Sequence, residues 1–184
     1  MLRRFFAVES SRHEDYPRVN ELNKADREKR FESVIMRYGK IISGVCFSYS
    51  ATSDDFKDLR QDILINIWNG LEKFQGKSSL ETWIYRVALN TCVSNVRKRS
   101  KQGKTVSLDS IMDFPDNAHN RSVENIEQLH SLIMSLSPVD KAIITMWLDE
   151  RSYDEIAEIV GITRNNVAVR VNRIKQKLSK KMND

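Results

Sequence analysis

Trp83, Arg86 and Asn90 recur at the spacing of one helix face, with Tyr85 beside them and Arg97, Lys98, Arg99 and Lys101 crowding the end of the same run. Indole and phenol rings can stack on an unpaired base while cationic groups grip the backbone, so this mixture suits single-stranded nucleic acid. Core packing would account equally for Trp83 or Tyr85 taken alone. A second concentration lies near the C-terminus, where Arg164, Arg170, Arg173, Lys175, Lys177, Lys180 and Lys181 fall within residues 161–182 without one acid. Duplex phosphate is the natural counterpart of such a run. Covalent chemistry has no comparable footing. His13, His119 and His130 sit in no ligand or triad spacing and no Gly-rich phosphate loop occurs, so no catalytic residue, cofactor, metal or small-molecule substrate is expected. Cys46 and Cys92 lack the short pairing of zinc or redox motifs and read as small core residues.

The elements that must position these groups are helices. With six glycines and three prolines in 184 residues the chain offers few turns, and its long segments carry three-and-four apolar spacing. Residues 1–25 mix charges without sustained period and read as an extension. Residues 26–48 form an amphipathic helix on Phe31, Val34, Ile35, Tyr38, Ile41, Ile42 and Val45. Ser53 is placed to cap a second helix running to Gly70 or Leu71, with Asp54 and Asp55 in its first turn and Phe56, Leu59, Ile63 and Ile67 as its core stripe. After Phe74, Gln75, Gly76 and Lys77, Ser78 or Ser79 caps a third helix continuing toward Arg99. Periodicity fails over residues 102–122, a polar stretch that reads as a linker. Helical runs resume at 123–135, 138–148, 152–160 and 163–182. The expected fold is all-α: two small helical domains joined by a flexible linker.

The C-terminal domain reads as a helix-turn-helix. A short helix from Ser152, a turn at Gly161 and a second helix capped by Thr163 supply its parts, with Ala157 small at the crossing and Ile162 plugging the core. Val167, Val171, Ile174 and Leu178 pack inward, which aims Arg164, Asn165, Asn166, Ala168, Val169, Asn172 and Arg173 at a major groove, with Arg170, Lys175 and Lys177 in the same DNA-binding set and the two lysines placed for phosphates. On the second helix, Asp58, Gln61, Asp62, Ile65 and Asn69 share the face opposite the core stripe. An outward isoleucine ringed by polar groups suits a partner surface, and a solvated face with one stray isoleucine is the plain alternative.

The formal net charge of +5 favours polyanionic partners, and no apolar run approaches the roughly 20 residues that span a bilayer, so the chain is expected in the cytoplasm, without membrane insertion. The runs Asp58-Leu-Arg-Gln-Asp-Ile-Leu-Ile-Asn-Ile-Trp, Phe74-Gln-Gly and Thr82-Trp-Ile-Tyr-Arg-Val-Ala-Leu-Asn resemble, in order and spacing, region two of extracytoplasmic-function (ECF) RNA polymerase sigma factors, and the second domain resembles their region four. The resemblance implies a region-two domain over 26–101, a linker over 102–122 and a region-four domain over 123–184. It implies that Asp58, Leu59, Gln61, Asp62 and Ile65 meet the clamp helices of the largest polymerase subunit. It implies also that Phe74, Gln75, Gly76, Lys77, Trp83, Tyr85, Arg86, Asn90 and Arg97 open the −10 element and hold a flipped base, while region four reads the −35 duplex. Core RNA polymerase, promoter DNA and an anti-sigma factor are the partners it implies. Asp62 departs from the family's usual glutamate, Leu89 stands where a basic residue is common, and Asn165-Asn166 replaces Gly-Thr. The acidic linker fits the polymerase's RNA channel and fits a plain soluble tether as well. A stand-alone helix-turn-helix regulator, binding its operator unaided, is the alternative reading.

Overall fold

The computed structural model describes residues 24–101 and 120–183. The expected N-terminal extension, apart from its last two residues, and most of the expected linker lie outside the described residues. Among those described there are seven α-helices and no strand: α1 (Lys24–Tyr49), α2 (Ser53–Leu71), α3 (Leu80–Lys101), α4 (Asn120–Met134), α5 (Pro138–Leu148), α6 (Tyr153–Val160) and α7 (Arg164–Asn183).

Helix starts follow local polar chemistry. Thr52, in extended conformation, caps α2 by accepting the Asp55 N–H, so the cap falls one residue before the expected Ser53, which is already helical. The Ser79 hydroxyl accepts the Thr82 N–H at 3.0 Å at the start of α3. Ser137 caps α5 ahead of Pro138, whose missing N–H costs nothing in a first turn. At α6 the Ser152 hydroxyl accepts from Glu155 N–H while the Glu155 carboxylate accepts from Ser152 N–H, a reciprocal capping box. Gly161 ends α6 at φ 75°, the left-handed turn that only glycine adopts freely, and Thr163 caps α7 through Asn166 N–H. α4 begins three residues earlier than its apolar period suggests.

Helices α1, α2 and α3 close around Val34, Ile41, Ile42, Ile63, Ile67, Ile84 and Ala88, and α5, α6 and α7 close around Ile143, Met146, Ile156, Val167, Val171 and Ile174. The two halves then pack on each other, with α4 and α5 against α1 and α6 against α3, so their buried apolar residues run together as one core. Polar groups knit the junction: Tyr49 O–H donates to the Pro138 carbonyl, and the Thr145 and Ser48 hydroxyls meet at 2.7 Å. His130 Nε2 lies 3.1 Å from the Phe47 carbonyl and 2.9 Å from that of Ser50. Cys46 and Cys92 are fully buried, as the sequence suggests, and burial pushes the Cys46 thiol up to about 12.

Candidate nucleic-acid and polymerase interfaces

Helix α7 turns Val167, Val171 and Ile174 into the core and leaves Arg164, Asn165, Asn166, Asn172, Arg173, Lys175 and Lys177 exposed. Ala168 and Arg170 are half-buried, and Val169 is 61% exposed despite its apolar side chain. An uncovered valine among arginines and asparagines suits contact with a base methyl group. Two flanking cations are already tethered: Arg164 lies over the Tyr153 ring with Nε 3.3 Å from Asp154, and Lys175 Nζ lies 5.1 Å from the Trp147 ring. Arg170 and Arg173 both reach Asp140, at 2.8 and 3.3 Å. In the sequence Asp140 is only an acid in a first helical turn, and no local spacing links it to this face.

On α2, Asp58, Gln61, Asp62, Ile65 and Asn69 do share one exposed face, and Ile65 is 48% exposed. Leu59 is buried in the core, as its place in the apolar stripe predicts, and lines a shallow depression beneath this face. Asn95 and Arg99 of α3 form its other wall. Asn95 Nδ2 donates to Asp62 at 3.1 Å, and Arg99 grips both oxygens of Asp55 at 2.8 and 2.6 Å. These two supports come from a helix 33 and 44 residues further on, so no local spacing announces them.

The aromatic and basic set on α3 divides. Gln75, Gly76, Lys77, Asn90 and Arg97 are exposed, and Gly76 sits at φ 68° in the loop. Trp83 is half-buried, its ring 5.4 Å from that of Phe74 and pressed on Gly70, where a Cβ would lie 2.8 Å from Cζ2. Tyr85 is buried: at 1% exposure it offers no ring face to a base in this arrangement, because the α5–α6 turn covers it. Its hydroxyl donates to the Asp149 carboxylate, and the Arg151 guanidinium lies 5.7 Å from its ring, 2.6 Å from Glu81 and 3.5 Å from Asp149. Arg86 donates to the Glu158 carbonyl at 2.8 Å, so it too is engaged by the C-terminal half. Burial raises the Tyr85 pKa, with the adjacent Asp149 charge adding to it. Burial also raises the Asp149 pKa against the opposing influence of Tyr85 and Arg151. Asp149 and Arg151 join this constellation unforeseen, since each reads in the sequence as part of a turn.

No three His, Cys, Asp or Glu side chains gather to hold a metal ion among the described residues, and no helix there is long and apolar enough to cross a membrane. The family models for Sigma-70 region 2 and Sigma-70, region 4 match residues 34–102 and 126–178. The RNA polymerase sigma factor YlaC of Bacillus subtilis is 29% identical over 158 residues, covering 82% of this chain and 91% of that protein. The ECF RNA polymerase sigma-E factor of Escherichia coli K12 is 27% identical over 177 residues, covering 89% and 92%. In fold the chain is similar to the Bartonella quintana sigma factor RpoE, solved in complex with the anti-sigma factor NepR, with a TM-score of 0.69, 22% identity and coverage of 83% of this chain and 96% of that one. Regions 2 and 4 occur in that order, one carrying the α2 face and the aromatic helix and the other the helix-turn-helix: the chain belongs to the extracytoplasmic-function family of RNA polymerase sigma factors.

Proposed function

We propose that three surfaces divide the work of this sigma factor. As a family member the chain binds core RNA polymerase and directs promoter recognition and transcription initiation. Asp58, Gln61, Asp62 and Ile65 dock on the polymerase clamp, with Leu59 beneath them and Asn95 holding Asp62 in place. Phe74, Gln75, Gly76, Lys77, Trp83, Asn90 and Arg97, joined by Tyr85 and Arg86 once region 4 moves aside, capture the opened −10 strand. Helix α7 reads the −35 duplex. The division follows domains over 26–101 and 123–184 with a linker over 102–122. The chain acts with polymerase in the cytoplasm and carries no chemistry of its own, and an anti-sigma factor restrains it, as NepR partners RpoE.

The observation that carries the reading is the exposed Ile65 set among Asp58, Gln61 and Asp62, a surface a stand-alone DNA-binding regulator has no use for. A Gln61→Ala/Asp62→Ala variant is expected to lose co-elution with bacterial core polymerase at fixed salt while its helix content is unchanged. Arg173→Ala is expected to keep polymerase binding and lose −35-dependent transcription. An Asp62→Ala variant with normal polymerase affinity and altered promoter choice would overturn the assignment. If the natural chain ignores core polymerase yet shifts duplex DNA sequence-specifically, the stand-alone reading replaces this one.

A further inference from the structure

Asp140 is the third residue of α5, and its carboxylate reaches across to α7. Its two oxygens are shared out, Oδ1 accepting from Arg170 Nη1 at 2.8 Å and Oδ2 lying 3.3 Å from Arg173 Nη2. Arg170 and Arg173 stand one turn apart on α7, and among the described residues neither pairs with another acid. The Asp140 side chain is 13% exposed while that of Arg173 is 64% exposed, so the acid is tucked behind the guanidinium and the remaining donors of Arg173 face outward. Ser137 Oγ fixes the first turn of α5 by accepting the Asp140 N–H at 3.2 Å, and buried Ile143, Val167 and Val171 fix α5 against α7 without help from the ion pair.

A free arginine samples many rotamers and can seek any phosphate within reach, whereas one held by a rear carboxylate presents its planar fork in a set direction. An acid beside a DNA face also repels phosphate, so its presence weakens binding to duplex of any sequence. Both effects push toward discrimination at the expense of general affinity. We propose that Asp140 is a specificity-determining positioning residue, which orients Arg173 and Arg170 toward the −35 duplex and limits their use as indiscriminate phosphate contacts. The proposal rests on α7 being the −35 reader.

The test compares holoenzyme assembled from core polymerase with the natural chain, Asp140→Asn, Asp140→Glu and Arg173→Ala. Each is measured on a −35 sequence selected by the natural holoenzyme and on a permuted −35 sequence, across a salt series. Asp140→Asn is expected to lower the preference for the selected sequence about fivefold, a part of what one well-placed bidentate contact supplies. Its affinity for the permuted duplex is expected to hold or rise, and the slope of log affinity against log salt to steepen by up to about one unit as freed guanidinium groups take phosphates. Asp140→Glu, which keeps the charge, is expected to recover part of the preference. A purely structural role would instead lower thermal stability and weaken both duplexes equally, and that result would overturn the proposal. So would an unchanged preference in Asp140→Asn when Arg173→Ala loses it. If Arg173→Ala also leaves the preference intact, the −35 reading of α7 fails and takes this proposal with it.

Discussion

Glu150 holds φ 60° just after α5, a left-handed conformation that opposes a side chain by about 1 kcal/mol and suits glycine. Glu150→Gly is therefore expected to raise the melting temperature by roughly 2–4 °C, measured by circular dichroism. Gly70 makes the opposite point. A Cβ there would lie 2.8 Å from the Trp83 indole, itself braced by Phe74, so Gly70→Ala is expected to cost about 1–3 kcal/mol and to lower the urea midpoint without changing the slope. Gly39, with nothing within 4 Å of its would-be Cβ, is the control: Gly39→Ala in the middle of α1 is expected to stabilise by up to about 1 kcal/mol. The contrast separates a glycine kept for close approach from one that only weakens its helix. Gly70 thereby sets where Trp83 stands beside Phe74 and the loop after it, although its sequence position suggests only a helix end.

At the scale of elements, helices were readable because capping and apolar period are local. Pro138–Leu148 matches expectation at both ends, and Ser152, Gly161 and Thr163 mark the helix-turn-helix through side-chain chemistry that operates within three residues. Ser152→Ala is expected to destabilise by about 1 kcal/mol through loss of its capping box. Burial opposes the Glu155 charge, but hydrogen bonds from Ser152 and the charge of Arg151 hold its pKa below 4.5. A depressed carboxylate stabilises above its unfolded pKa, so this contribution fades as pH falls below about 4.5 and the Ser152→Ala penalty shrinks with it. What sequence could not show is which faces of finished helices meet. Tyr85, Asp149 and Arg151 each have a sufficient local explanation, as a stacking ring, a helix end and a turn residue, so nothing signals that they join across 64 and more positions. Asn95, Arg99 and Asp140 were hidden for the same reason.

For the whole molecule, the packed halves oppose the −10 role proposed for Tyr85 and Arg86, since the α5–α6 turn covers Tyr85 and α6 engages Arg86 on α3. Glu81→Lys, placing like charge against Arg151, is expected to separate the halves with helix content preserved, read as a larger radius of gyration by small-angle scattering and stronger binding of single-stranded DNA. Acid is expected to loosen the same junction. Burial lowers the His130 pKa below 6.5, the Ser50 and Phe47 carbonyls pull it upward, and nearby Lys141 adds to the lowering. The folded state then binds this proton more weakly than the unfolded chain, so its stabilisation is complete above about pH 6.5 and declines below it. The fall in melting temperature between pH 7.5 and 5.5 is expected to be smaller in His130→Gln. The buried cysteines give this opening its own chemical clock. Burial pushes the Cys46 thiol up to about 12 and leaves neither sulfur accessible, so oxidants find little thiolate to attack while the halves are together. Cys92 lies within electrostatic reach of Cys46 and of Lys141 on α5, the helix that packs on α1. A disulfide-exchange reagent added to the natural chain therefore times each opening without any label, and partners that hold the sigma factor shut should silence that reaction.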